Sequence, residues 1–136
     1  MKSLLCILGI FYCTSSLANS PTGLLDIEKL KQSKPYVNKE HVKVWNAKLT
    51  KHIRINAIEF TGELPLHKHP DAGHNMLVLK GGILVLLGDK KFKAKKASFI
   101  FIPKGVAHKY WTLGESALLV SMDAPYYDPT KTIHLE

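Results

Sequence analysis

His67 and His69 stand two apart within GELPLHKHPDAGHNMLVLKGG, His74 follows in the same stretch, and His108 closes FIPKGVAH. Side chains two apart on a strand leave the same face, so the HxH pair can grip one ion from one side. Neutral imidazole suits zinc, iron, copper and nickel, whereas magnesium and calcium want oxygen ligands. Four histidines turned toward one interior point therefore predict a divalent transition-metal centre. The punctuation supports this: Pro70 and Gly73 fit a tight connection that returns the chain to His74, and Pro103 and Gly105 mark a second turn just before His108. His41, His52 and His134 lack matching spacing and read as structural or surface residues, with His52 a distant pocket candidate.

Tyr110 shares its strand parity with His108 and is the candidate catalytic side chain, able to donate a proton or orient a substrate oxygen. The alternative is a core tyrosine with a satisfied hydroxyl. Arg54 and Asn56 could hold a substrate carboxylate if their face lines a cavity, and a solvent-facing position is the alternative. Glu59 and Glu63 are similarly undecided between a pocket and the surface. Trp111 should face away from Tyr110 and pack.

The elements that must carry these residues are mostly strands. Leu24, Leu25, Ile27 and Leu30 recur at near-helical spacing, which predicts a short N-terminal helix from about Leu24 to Gln32. After it, strands are expected over Val42 to Leu49, His52 to Phe60, His74 to Leu79, Ile83 to Leu87, Lys91 to Phe92, Ser98 to Ile102, Ala107 to Leu113 and Ala117 to Ser121. Gly62, Gly73, Gly81-Gly82, Gly88-Asp89, Pro103-Lys104-Gly105 and Gly114 punctuate them. Connections this short cannot hold crossover helices, so the expected class is all-β, an antiparallel sandwich or barrel. In HIRINAIEF, Ile53, Ile55 and Ala57 share one face while His52, Arg54 and Asn56 share the other. The polar face meets either solvent or a wet pocket. The tail DAPYYDPTKTIHLE is expected to run irregularly over the surface or onto a neighbour.

Length and composition bound the rest. Of the 136 residues, the first 18 read as an export signal: Lys2 gives a positive start, Leu4 to Tyr12 is apolar, and Ser16-Leu17-Ala18 offers a cleavage site. The exported domain would begin at Asn19 as one core over residues 19–136. The apolar run is short of the roughly 20 residues that cross a bilayer, so no membrane association is expected after cleavage. Both cysteines, Cys6 and Cys13, lie in the signal, and the exported domain carries no thiol. Its metal ligands must be nitrogen and oxygen, which argues against iron–sulfur clusters and cysteine-rich zinc sites. The formal charge of +8 favours anions generally. Lys91, Lys93 and Lys95 alternate with Phe92 and Ala94, as on a strand with one wet face, and no nucleic-acid motif accompanies them, so no nucleic-acid partner is expected.

The histidine segments resemble the two motifs of the cupin superfamily, small β-barrels that usually hold one metal inside. The first family motif places a glycine, HxH, a glutamate and a closing glycine. Here His67 and His69 match the HxH pair, His74 stands at the glutamate position and Gly81 matches the closing glycine. The second motif runs glycine, PxG, histidine, asparagine, and Pro103, Gly105 and His108 match it. Ala97-Ser98 stands where its glycine is expected and Thr112 where its asparagine is, and Gly62 lies one residue nearer the HxH pair than is common. The resemblance covers Gly62 through Thr112. It implies a single-domain cupin-like β-barrel or jelly roll with His67, His69, His74 and His108 around a divalent ion (zinc, iron, copper or nickel).

Histidine for glutamate exchanges an anionic ligand for a neutral one and leaves the ion its full double charge, which favours an anionic substrate. The resemblance implies a metal-dependent enzyme acting on a small anionic or oxygen-rich molecule, with dioxygenase chemistry ahead of isomerase or lyase chemistry. The alternative is a non-catalytic cupin that captures a small ligand or the metal itself in a closed four-nitrogen shell. Small cupins commonly pair through strands or swapped ends, so the resemblance also implies a homodimer.

Overall fold

The computed structural model describes residues 23–126 and 128–136. The expected signal segment and its cleavage site lie outside the described residues. Helix α1 spans Ile27–Lys31, and eleven strands follow: β1 (Val37–Lys39), β2 (Val42–Leu49), β3 (Arg54–Phe60), β4 (Glu63–Lys68), β5 (Gly73–Lys80), β6 (Gly82–Leu87), β7 (Lys90–Lys95), β8 (Phe99–Ile100), β9 (His108–Thr112), β10 (Ala117–Ala124) and β11 (Ile133–His134). They form a six-stranded sheet in the order β1-β2-β3-β10-β5-β8 and a five-stranded sheet in the order β11-β4-β9-β6-β7. The pairings are antiparallel. The all-β expectation holds, in jelly-roll form. Among the described residues, no helix is long and apolar enough to cross a membrane.

The helix is shorter than its apolar spacing predicts. Asp26 takes the N-cap, its carboxylate accepting from the Lys29 backbone N–H at 3.0 Å, and this fixes the start three residues late. Leu24 is left outside the helix and almost fully exposed. The segment after the helix covers the outside of the larger sheet, where Trp45 donates from Nε1 to the Ser33 carbonyl at 2.9 Å and sits opposite the buried Ala57.

The core lies between the two sheets and includes Phe60, Met76, Val78, Ile83, Val85, Ile100, Tyr110 and Leu119. The inner face of the larger sheet is graded along its strands. Ile58, Leu119 and Val78 form one row across β3, β10 and β5; Asn56, Ser121 and Met76 form the next; Arg54, Asp123 and His74 form the last. All nine are buried, so the polar groups collect at one end of the barrel. This settles the face of β3: Arg54 and Asn56 point inward together with Ile58 and Phe60. The apolar face that begins at Ile53 turns outward, because polarity changes sides along the strand.

Two corners explain the glycine pattern. One residue separates β5 from β6, yet these strands belong to different sheets. Gly81 makes that corner at φ +70, with its α-carbon so close to the Ser116 carbonyl oxygen that a Cβ would lie 2.3 Å from it. Ala97, the departure from the second motif, has φ +68. The position demands the left-handed backbone that glycine adopts without cost. Ala97→Gly is expected to raise stability by about 0.5–1 kcal/mol, the relief of strain exceeding the added entropy of the unfolded chain. Urea unfolding of both proteins checks this, and a less stable variant would contradict it.

Strand β7 forms the free edge of the smaller sheet, with Lys90, Lys91, Lys93 and Lys95 exposed and Ala94 buried. Lys91, Lys93 and Lys95 form the expected wet face, but Phe92, expected on the dry side with Ala94, is exposed as well; an edge of lysines discourages strand addition.

Candidate metal centre

The smaller sheet supplies the HxH histidines and their partner. His67 sits near the end of β4, His69 lies just beyond it, and His108 opens β9 directly opposite His67 in the strand register. Two hydrogen bonds tie the turns that bear them: the Gly105 N–H donates to the His69 carbonyl at 2.8 Å, and the His74 N–H donates to the Ile102 carbonyl at 2.9 Å. The left-handed Gly105 (φ +76) therefore sets the height of one histidine loop against the other.

His67, His69 and His108 each present a nitrogen, and these atoms lie within 4.8 Å of one another. All three side chains are buried. His67 Nδ1 donates to the Pro65 carbonyl at 2.7 Å, and His108 Nδ1 donates to the Val106 carbonyl at 2.9 Å. A carbonyl can only accept, so in both rings the proton is on Nδ1 and the lone pair on Nε2, the tautomer a metal requires. His108 Nε2 is buried without a hydrogen-bond partner among the described residues. An orphaned imidazole lone pair facing two other histidines is what a divalent zinc, iron, copper or nickel ion would satisfy, and the donor set fits such an ion.

The fourth predicted ligand stands differently. His74 comes from the opposite sheet, at the start of β5, and its nitrogens fall outside the close group of three. Its ring centroid lies 4.7 Å from that of His69 and 5.7 Å from that of His108. Nδ1 is hydrogen-bonded to the buried Asp123 carboxylate, which leaves Nε2 for a ligand or an ion. Asp123 in turn accepts from Asn56 Nδ2 at 3.4 Å.

Electrostatically the centre resists protonation. Burial pushes His67 down to about 4, His108 to about 3 and His69 to about 2, with mutual repulsion among the imidazoles adding to each shift. The unfolded chain takes up protons near the ordinary value of 6.5 that the folded rings refuse. Metal-free protein is accordingly expected to lose stability as the pH falls below about 6.5, and the loss continues downward through about 4, where His67 titrates. Urea midpoints that match at neutral pH and at mildly acid pH would contradict this.

A cavity of about 210 Å³ opens over the histidines, lined by His67, His69, His74 and His134 together with Asn56, Asp123 and an apolar wall that includes Val44, Ile58, Phe60 and Leu64. It corresponds to about seven water volumes at roughly 30 Å³ each, which limits an occupant to a small molecule. Tyr110 lies behind the metal group, 1 % exposed, with its ring 5.3 Å from His108 and 5.8 Å from Phe60. Burial holds its hydroxyl well above the ordinary tyrosine value, and that hydroxyl has no partner among the described residues. It therefore stays a neutral phenol, able to donate or accept a hydrogen bond. Trp111 faces outward as expected, donating to Glu63 at 2.7 Å with Lys109 and Lys91 over its ring. His52 is exposed. His134 is the residue that spacing missed: β11 pairs with β4 and places it opposite His67. The tail is thus partly ordered, where an irregular course was expected.

A cupin-domain family model matches residues 58–123. An uncharacterized protein of Aquifex aeolicus is 34% identical over 119 residues, covering 86% of this chain and 96% of the relative. Among solved structures, Streptomyces PAC13 with uridine superposes with a TM-score of 0.69 at 14% identity over 79% of this chain and 88% of that one. The same protein is also described as a unique nucleoside dehydratase. KdgF from Halomonas sp. superposes with a TM-score of 0.67 at 15% identity, covering 74% of this chain and 94% of that chain. The matched span contains both histidine loops and the corner at Gly81, so the sequence match and the jelly-roll architecture converge on one assignment: the chain belongs to the cupin superfamily.

Proposed function

We propose that the protein is a metal-dependent enzyme acting on a small anionic or oxygen-rich molecule, with a divalent zinc, iron, copper or nickel ion held by His67, His69 and His108. The observation that carries this is the buried group of three nitrogens within 4.8 Å beside a cavity of small-molecule size. When bound, the ion would supply Lewis acidity or, if iron or copper, redox chemistry. The chain supplies the rest. Pro65 and Val106 carbonyls fix the two ring tautomers. The apolar wall excludes water, and Asp123 orients His74 so that its Nε2 either accepts a proton from the bound molecule or completes the metal shell.

Elemental analysis of protein from its native host, combined with the coordination number, tests this reading. Iron or copper with an open position selects the dioxygenase chemistry expected from sequence, and zinc or nickel with an open position selects isomerase or lyase chemistry. Four nitrogens and no open position select the non-catalytic alternative, and a metal-free protein overturns the reading. The placement of PAC13, described as a nucleoside dehydratase, on the same fold supports an enzyme.

Tyr110 is proposed to act as a donor from behind the cluster. Tyr110→Phe is expected to leave metal content unchanged and stability within about 1 kcal/mol, because the lost hydroxyl has no partner, while lowering turnover. Unchanged turnover would remove Tyr110 from the mechanism. Export is proposed with cleavage after Ala18, and a native protein whose mass includes residues 1–18 would contradict it. A homodimer is proposed as well, with light scattering as its test.

A further inference from the structure

The cavity over the histidines changes character along its length. At one end His67, His69 and His74 meet Asn56 and Asp123, and both carboxylate oxygens of Asp123 are engaged, one by His74 and the other by Asn56. Four residues of β3, roughly 13 Å at the rise of a strand, lead from Asn56 to Phe60. Along that path Ile58 is paired with Val44 and Phe60 with Val42; Val37 follows beyond Val44, and Leu64 reaches in from the facing sheet. All six are apolar, so this wall carries no side-chain hydrogen-bonding group. Lys39, the neighbour of Val42, is exposed and marks where the wall meets solvent. Ile58 and Phe60 are buried, whereas Val37, Val42, Val44 and Leu64 face the cavity and keep part of their surface open. Apolar side chains that line an interior space without being covered form a seat for an apolar group. A hydroxyl buried against them would give up its water for no hydrogen bond in return.

We propose that the molecule bound at the histidines is amphipathic, with a polar head at the cluster and an apolar body, an aromatic ring or a short branched chain, lying on Val42, Val44, Ile58, Phe60 and Leu64. The inference rests on the reading of His67, His69 and His108 as the metal centre and narrows its substrate from any small anionic or oxygen-rich molecule to one with a single polar end. Size agrees with this. An apolar cavity of about 150 Å³ accepts benzene, and the volume of about 210 Å³ here leaves room for one ring and a head of a few atoms. The same wall discriminates against polyhydroxylated molecules of equal size, whose hydroxyls would lie unpaired along it.

The test uses zinc-loaded full-length protein and two hydroxamates that share a chelating head, benzohydroxamate with a phenyl body and acetohydroxamate with a methyl in its place. Calorimetric titration is expected to show benzohydroxamate binding at least about tenfold tighter, the scale of burying much of one ring. Val44→Thr keeps the volume of the wall and puts a hydroxyl in it. It is expected to reduce that preference by about threefold or more while leaving acetohydroxamate within about twofold. Should the threonine variant fail to fold, the wild-type protein still decides. The methyl resonances of Val42, Val44 and Leu64 should shift under the ring current of benzohydroxamate and stay put with acetohydroxamate. Equal affinities, unmoved methyl resonances, or binding of neither hydroxamate by protein that holds its zinc overturns the amphipathic ligand. Failure to hold zinc at all overturns the metal reading instead, so the two failures are distinguishable.

Discussion

Replacing His67 or His69 with alanine is expected to bring metal content down to background in a protein that remains folded. Each of these rings contributes one of the three close nitrogens, and two remaining imidazoles on separate loops form no shell. The fold should survive because the core that supports it, from Phe60 to Leu119, is largely apolar and does not depend on the imidazoles. His74→Ala is expected to act differently, weakening metal affinity by roughly 10- to 100-fold, the usual effect of removing a group that supports a shell. The structural ground is its bond to Asp123 and its place outside the close group. Metal per chain after purification, followed by competition with a chelator, measures both effects. Full metal retention in His67→Ala would sink the ligand assignment, and complete loss in His74→Ala would make that residue an equal member of the shell.

The largest stability effect is expected at Gly81. An alanine there meets the Ser116 carbonyl oxygen at 2.3 Å and the Ala117 α-carbon at 3.2 Å, in a backbone at φ +70. Neither contact is the tip of a flexible side chain. Left-handed strain of about 1–2 kcal/mol adds to overpacking of about 1–3 kcal/mol, and the total shifts Tm by on the order of 10 °C or more. Both costs fall on the corner where the chain leaves one sheet for the other, so the whole domain should unfold earlier. Thermal and urea unfolding of Gly81→Ala check this, and a loss under about 1 kcal/mol would mean that the β10 entrance moves aside easily.

How much of this was legible in the sequence depended on how local the signal was. The HxH pair, the PxG turn and His108 could be read because their spacing and their turn residues lie within a few positions of one another. The fold class followed from short connections. Strand β4, which carries His67, escaped because Pro65 interrupts it and its register slips between Leu64 and His67. The role of Arg54 stayed open because β3 changes the polarity of its faces midway: Arg54 and Asn56 share a side with Ile58 and Phe60. No alternation rule assigns such a strand. Ala97 looked like a mere departure from a motif until its φ showed why glycine is usual there. His134 was beyond reach altogether, since its pairing with β4 joins segments more than 60 residues apart in the chain.

That distant pairing separates two kinds of inheritance. The histidine cluster is locked into a barrel whose corners tolerate little change, whereas the rim beside it belongs to β11, two exposed residues fastened by the Leu135 N–H on the Leu66 carbonyl and by Glu136 on Lys109. Substitutions at the chain's end can therefore reshape the mouth of the cavity without disturbing the histidines beneath it.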